Sequence, residues 1–271
     1  MLTRIWRLKN VSIRERVGRE AAAHTEEDVL AESKKVKDRF HHVYSYPSRE
    51  RLRAVIERIT EQGLGRLILD YGCGLGEASL EFLEKGWITY GIDISPRYVA
   101  RATRSAQESG YPDGRYRFLV MDAHSIAFGT ETFDLVVGRG ILHHLEAGIA
   151  LREIHRILKP GGRVLLLEPL ADSPLLRLFR RLTPKARTND ERPLSGSDLR
   201  KLLSNRCWEV HLEYCGLINA PLAVLTSMLI PGNPSNAILA AADKVEAWTH
   251  KKGILRSWNQ YVLIDMIKMA S

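Results

Sequence analysis

The sequence predicts an α/β fold with a doubly wound, mostly parallel sheet, and two observations carry that prediction. Five short apolar runs, 66–71, 88–93, 116–121, 133–138 and 163–168, alternate with segments long enough for helices, the pattern of strands joined by crossovers. The first run leads straight into Asp70-Tyr71-Gly72-Cys73-Gly74-Leu75-Gly76, a glycine turn between a strand and a helical segment. With 271 residues, 45% of them hydrophobic and 27% charged, the chain has the composition of one sizeable globular core with additions.

Taken in order, residues 1–47 are polar and highly charged, with apolar residues too sparse for a core of their own; they read as a helical or partly disordered extension. From Ser48, the spacing of Leu52, Val55, Ile56 and Ile59 is helical, and Gly63-Leu64-Gly65 stops that helix before the first strand. Ser95-Pro96 marks a helix start, with Ser as N-cap and Pro at the first helical position. A later helix keeps Leu151, Ile154, Ile157 and Leu158 on one stripe and ends at Lys159-Pro160-Gly161-Gly162, where the chain must turn. Beyond Glu168 the chain becomes Pro- and Arg-rich through Pro193. A helix capped by Ser195 or Ser197 follows, then a strand near 208–214 and a last one at 261–268. The residues between those two strands are too many for a hairpin loop and predict a helical insertion over 216–258.

Several function classes lose support. Cys73, Cys207 and Cys215 have no metal-ligand spacing, and a chain this long needs no disulfides, which favours a reducing cytoplasm. The start Met1-Leu2-Thr3-Arg4-Ile5-Trp6-Arg7 lacks the apolar core of a secretory signal, so export is not expected. The apolar stretch 215–230 is interrupted by Asn219 and Pro221 and falls short of the ~20 residues that cross a bilayer. A formal charge of +8 suits RNA, an anionic membrane surface or an acidic substrate without choosing among them.

The chemistry gathers at the strand ends. Glu77 takes the third glycine's place in a GxGxxG count begun at Gly72, putting a carboxylate where a dinucleotide's pyrophosphate would sit, and no GxxxxGK[ST] is present. Asp70 and Asp93 close the first and second strands, and Asp122 follows the third. In a doubly wound sheet these three acids border one crevice. Such a site suits a ligand offering donors or positive charge. S-Adenosylmethionine qualifies: Asp93 accepts the ribose hydroxyls, Asp122 the adenine amino group, and Asp70 favours the cationic methionine end. NAD fits only the ribose contact.

Residues 66–168 resemble the class I S-adenosylmethionine-dependent methyltransferases. The likeness lies in Leu-Asp-Tyr-Gly-Cys-Gly-Leu-Gly at 69–76, Gly-Ile-Asp-Ile-Ser at 91–95, Met-Asp-Ala-His at 121–124, Phe-Asp-Leu-Val-Val at 133–137, Leu-His-His-Leu at 142–145 and Leu-Lys-Pro-Gly-Gly at 158–162. The resemblance implies a Rossmann-like, seven-stranded sheet whose last strand, 261–268, is antiparallel. It also implies a cofactor loop at Gly72, Cys73, Gly74 and Gly76, ribose recognition by Asp93 with Ile94 against adenine, and adenine recognition by Asp122 and Ala123. Asp70 and Arg139 complete the cofactor candidates. The domain then runs over 48–271, with a cofactor core at 66–168. Segments 171–206 and 216–258 have the length to shape an acceptor pocket.

The implied reaction is in-line displacement, an acceptor heteroatom attacking the sulfonium methyl, with a small molecule and its oxygen as the expected acceptor. His143 and His144 follow the fourth strand, and histidine can take a proton near neutral pH. Glu168, ending the fifth strand, is the third catalytic candidate. His41, His42, His143 and His144 share no fixed ligand spacing, so no metal is expected. Cys73 reads as a small packing residue, and Asp134 as structural. An RNA or lipid-like acceptor and peripheral membrane contact stay open, as do the oligomeric state and a non-catalytic cofactor-binding module. A NAD-dependent dehydrogenase is disfavoured by the glycine spacing and by Asp122.

Overall fold

The computed structural model describes residues 15, 18–19, 35, 38–45, 49–63, 66–182, 191–234, 236–251 and 255–269. Most of the predicted N-terminal extension, part of the stop at 63–65 and part of the Arg-rich stretch before Pro193 lie outside these residues.

The expected strands form one sheet: β1 (Leu67–Tyr71), β2 (Ile88–Asp93), β3 (Tyr116–Val120), β4 (Phe133–Arg139), β5 (Leu158–Pro169), β6 (Trp208–Cys215) and β7 (Tyr261–Lys268). Their order is β3-β2-β1-β4-β5-β7-β6. The pairs among β1 to β5 are parallel, whereas β7 runs antiparallel to both β5 and β6. The order reverses between β1 and β4, which opens the crevice at their carboxyl ends. The turn expected at 159–162 lies inside β5. Leu158 pairs with Phe133 and Arg163 with Leu135, so the four intervening residues loop out of register.

Helices cover both faces because alternate strand residues point to opposite sides. Ile68, Leu135, Val137 and Leu165 pack with Leu52, Val55, Ile56 and Ile59 of α2 (Arg49–Glu61) and with Ala78 and Phe82 of α3 (Glu77–Glu84). Their neighbours Leu69, Val136, Val164 and Leu166 face the other way. There they meet Ile154 and Ile157 of α5 (Ala147–Ile157) and Leu199 and Leu202 of α7 (Gly196–Leu203). Each wholly buried Leu or Ile contributes about 1.5–3 kcal/mol of transfer free energy. Between β2 and β3, α4 (Pro96–Glu108) starts as expected, the Ser95 hydroxyl accepting from Tyr98 N–H at 3.4 Å. Ser195 rather than Ser197 caps α7, in a reciprocal box with Asp198. Asp134 is structural: its Oδ2 accepts the Arg66 and Leu67 amides and its Oδ1 meets Lys159. Burial would raise its pKa, but these partners hold the carboxyl below the ordinary range.

The insertion is helical, with α8 (Asn219–Leu229) and α9 (Ala237–Lys251) between β6 and β7. Glu246, fully buried on α9, accepts the amides of Gly216, Ile218 and Asn219 at 2.8–3.0 Å and so closes the start of α8. Arg51 of α2 reaches Glu213, Asp243 and Glu246, fastening the insertion to the core. The short α1 (His41–Ser45) docks on α8 through His42, whose Nδ1 meets Thr226 Oγ1 at 2.8 Å and whose Nε2 donates to the Pro231 carbonyl at 3.3 Å.

His42 is wholly buried, and that burial pushes its pKa below the ordinary value, only partly offset by the Pro231 carbonyl. A histidine kept neutral by folding contributes its stability above the ordinary pKa and loses it as pH falls through the lowered one. Thermal melts from pH 8 down to 5 should therefore show wild type losing Tm faster than His42→Gln. Parallel curves would remove His42 as the cause.

Candidate active site

Beyond β1 the chain must bend sharply to enter α3. The amides of Gly72 and Cys73 both donate to the Ile92 carbonyl at 2.9 Å, which ties the turn to β2. Gly72 has φ +79° and stands where a Cβ would lie 2.9 Å from Ile141. Gly76, at φ +87°, would strike Ala102 at 2.8 Å. Both positions therefore demand glycine, for conformation and for space. At Gly74 (φ +52°), by contrast, an added Cβ would meet nothing within 4 Å, so this part of the loop faces open space where a ligand can approach. Cys73 is buried in the loop, and burial pushes its thiol pKa far up.

The three acids meet at the sheet edge. Asp93 Oδ2 accepts Gly74 N–H and its Oδ1 accepts Ser95 N–H, both at 2.9 Å, which fixes the carboxylate while leaving each oxygen a second lone pair. Ile94, next to it, is half-buried. Asp122 Oδ1 takes both the amide and the Nδ1–H of His124 at 2.8 Å. The Glu146 amide donates to His124 Nε2 at 2.9 Å, so Nε2 is the acceptor, Nδ1 carries the proton, and Asp122 keeps Oδ2 for a ligand. The Tyr71 hydroxyl donates to the Ala123 carbonyl at 2.6 Å, which ties the loop after β3 to β1.

Asp70 is nearly inaccessible and accepts the Ser79 hydroxyl at 2.5 Å. Burial raises its pKa, while Arg139 and Ser79 oppose the rise. Asp70 thus lies behind the glycine turn, out of solvent. Arg139 borders the small pocket between α2 and α3 lined by Leu52, Ile56, Ala78 and Phe82.

The last group sits past β4. Glu168, fully buried, accepts the amides of Ile141 (3.0 Å), Leu142 (2.8 Å) and His143 (3.3 Å), and His143 Nδ1 at 2.8 Å. A carboxylate accepts only, so His143 Nδ1 donates and its Nε2 presents the lone pair. His144 lies beside it, the ring centroids 4.2 Å apart. Ser79, His124 and Glu146 join the site only in the folded structure. Only His124 had a signal, its place in Met-Asp-Ala-His.

A mostly parallel sheet in the order 3-2-1-4-5-7-6, with a glycine turn and an acid at the end of each of its first two strands, defines a nucleoside-binding α/β domain. The comparisons name its kind. The family description "Methyltransferase domain" matches residues 69–166. The chain is 31% identical over 181 residues to the O-methyltransferase cnsE of Penicillium expansum, covering 60% of this chain and 62% of that one. It is 32% identical over 122 residues to the S-adenosyl-L-methionine-dependent Diels-Alderase iliD of a Neonectria strain, covering 45% and 46%. The chain thus spans about half the length of the curated relatives it matches. Among solved structures, magnesium protoporphyrin IX methyltransferase (ChlM) from Synechocystis PCC 6803 superposes with a TM-score of 0.55 at 16% identity, over 93% of each chain. Residues 69–166 thus match a methyltransferase domain, and the chain is similar to S-adenosylmethionine-dependent methyltransferases in sequence and in fold.

The residues present fit that family's cofactor. A nucleoside with two ribose hydroxyls, an amino group and a sulfonium offers donors and positive charge, and the crevice offers the spare lone pairs of Asp93, Asp122 Oδ2 and the nearby Asp70.

Proposed function

We propose that this protein transfers the methyl group of S-adenosylmethionine to an oxygen of a small-molecule acceptor by in-line displacement. The observation that carries this reading is the placing of three acids at one sheet edge, Asp93 bonded to the glycine turn, Asp122 at the end of the neighbouring strand and Asp70 buried behind the turn. The cofactor supplies an electrophilic methyl on a sulfonium. Asp93 holds the ribose, Asp122 and the Ala123 amide hold the base, Ile94 packs on it, and Gly72, Cys73, Gly74 and Gly76 shape the loop. Asp70, tempered by Arg139, favours the cationic end.

At the transfer end, His143 and His144 face the acceptor oxygen, and Glu168 positions His143. Four contacts occupy both Glu168 oxygens, so this residue anchors the loop and is not itself the base. Segments 171–206 and 216–258 shape the acceptor pocket in this reading. The O-methyltransferase relative supports oxygen.

Calorimetry should show S-adenosylhomocysteine binding with NAD and ATP silent. Labelled S-adenosylmethionine, added to fractionated extract with the protein, should then mark a small product through a methyl ether or ester. Binding of NAD without S-adenosylhomocysteine would overturn the cofactor assignment, and label on nitrogen or carbon would overturn the choice of oxygen.

One observation favours a second acceptor class. Leu225, Met228 and Leu229 on α8 and Ile238, Val245 and Trp248 on α9 are exposed apolar side chains, suited to an apolar acceptor or a membrane surface. Among the described residues no helix is long and apolar enough to cross a membrane.

A further inference from the structure

Beside the acidic crevice, three metal-binding side chains have come together from distant parts of the chain. One ring nitrogen of His143, one of His144 and one carboxylate oxygen of Glu191 all lie within 4.8 Å of one another. The juxtaposition has a backbone cause: Arg192 N–H donates to the His143 carbonyl at 2.7 Å, and Leu170 bridges to Leu194, so the segment entering α7 is held against the loop after β4. His143 is already oriented as a ligand, because its Nδ1 is engaged by buried Glu168 and only Nε2 is left to bind. A carboxylate behind the far nitrogen is the arrangement that fixes and strengthens histidine ligands. Glu191 also pairs with Arg180 at 3.0 Å, which holds its carboxylate on this side of the loop.

We propose that His143, His144 and Glu191 hold a divalent transition-metal ion of the zinc class, in a three-ligand site whose open position takes the acceptor oxygen. Two imidazoles and one carboxylate form a donor set suited to Zn²⁺, whereas Mg²⁺ prefers an all-oxygen shell. Ligand atoms around a tetrahedral zinc stand about 3.3 Å apart. Partly exposed His144 and Glu191 must therefore rotate inward, while Glu168 keeps His143 in place.

The inference rests on the methyltransferase reading and narrows its substrate class to acceptors with a hydroxyl, phenol or enol oxygen able to ligate. Such an oxygen gives its proton to water and attacks the methyl carbon. A C–O bond forms as the C–S bond breaks, and no electron donor or acceptor is needed.

The test is titration of the metal-stripped protein with Co²⁺, followed by its visible absorption, and with Zn²⁺ by competition against a chelating dye. S-Adenosylhomocysteine affinity is measured on the same samples. Wild type should bind one equivalent. His144→Ala and Glu191→Gln should each weaken binding at least tenfold while keeping S-adenosylhomocysteine affinity, and His211→Ala, on exposed β6, should bind as wild type. Retained nucleoside binding shows that the variants are folded. Failure of wild type to bind either ion, or equal binding by the two ligand variants, overturns the site. Loss of nucleoside binding in wild type would instead overturn the methyltransferase reading.

Discussion

Replacing Asp93 with Ala should weaken S-adenosylhomocysteine binding by about 10- to 100-fold, roughly 1.4–2.7 kcal/mol. Two losses add. The ribose loses its charged acceptor, and the Gly74 and Ser95 amides lose theirs, so the glycine turn and the start of α4 both loosen. Asp93→Asn separates the two. It keeps the size and one carbonyl oxygen but places an amide donor against one of the two backbone N–H groups. It should therefore fall between wild type and Ala in affinity, with less loss of thermal stability. Calorimetry and melting curves on the three proteins give both numbers. Affinity unchanged in both variants would place the ribose elsewhere and leave Asp93 as a structural cap.

The sheet was legible because its strands are buried on both faces. The run Phe-Asp-Leu-Val-Val has no solvent side to display, so a short apolar stretch between turns could only be a strand covered by helices. Asp70, Asp93 and Asp122 were legible for a related reason: parallel topology sends every strand's carboxyl end to the same edge. What sequence could not show depends on contacts with backbone. Glu168 was read as a candidate base, yet its neighbours are three amides and one ring nitrogen, and amides leave no side-chain signature. Glu191 is separated from His143 by α5, β5 and α6 (Pro174–Leu182), and the links that set it there run through backbone, the Arg192 amide on the His143 carbonyl among them. Periodicity does not report such a link.

The Glu168→Gln variant should lower the chemical step by on the order of 100-fold while changing cofactor affinity only a few-fold. The argument is one of donor count. Glutamine has one acceptor oxygen where glutamate has two, and its NH₂ must face one of the two groups that now donate to Glu168. Turned toward the loop, the NH₂ opposes the Ile141 and Leu142 amides, costing about 1–3 kcal/mol of stability. Turned toward His143, it forces Nδ1 to accept, which moves the ring proton to Nε2 and removes the lone pair meant for the acceptor side. Glu168→Asp keeps the charge but shortens the reach and should recover part of the rate. Single-turnover assays with saturating cofactor give the chemical step, and nitrogen-15 spectra of the His143 ring give its tautomer. A full rate in Glu168→Gln with the tautomer reversed would show that the His143 lone pair takes no part in the transfer. A lost rate with the tautomer unchanged would assign the effect to the loop's shape instead.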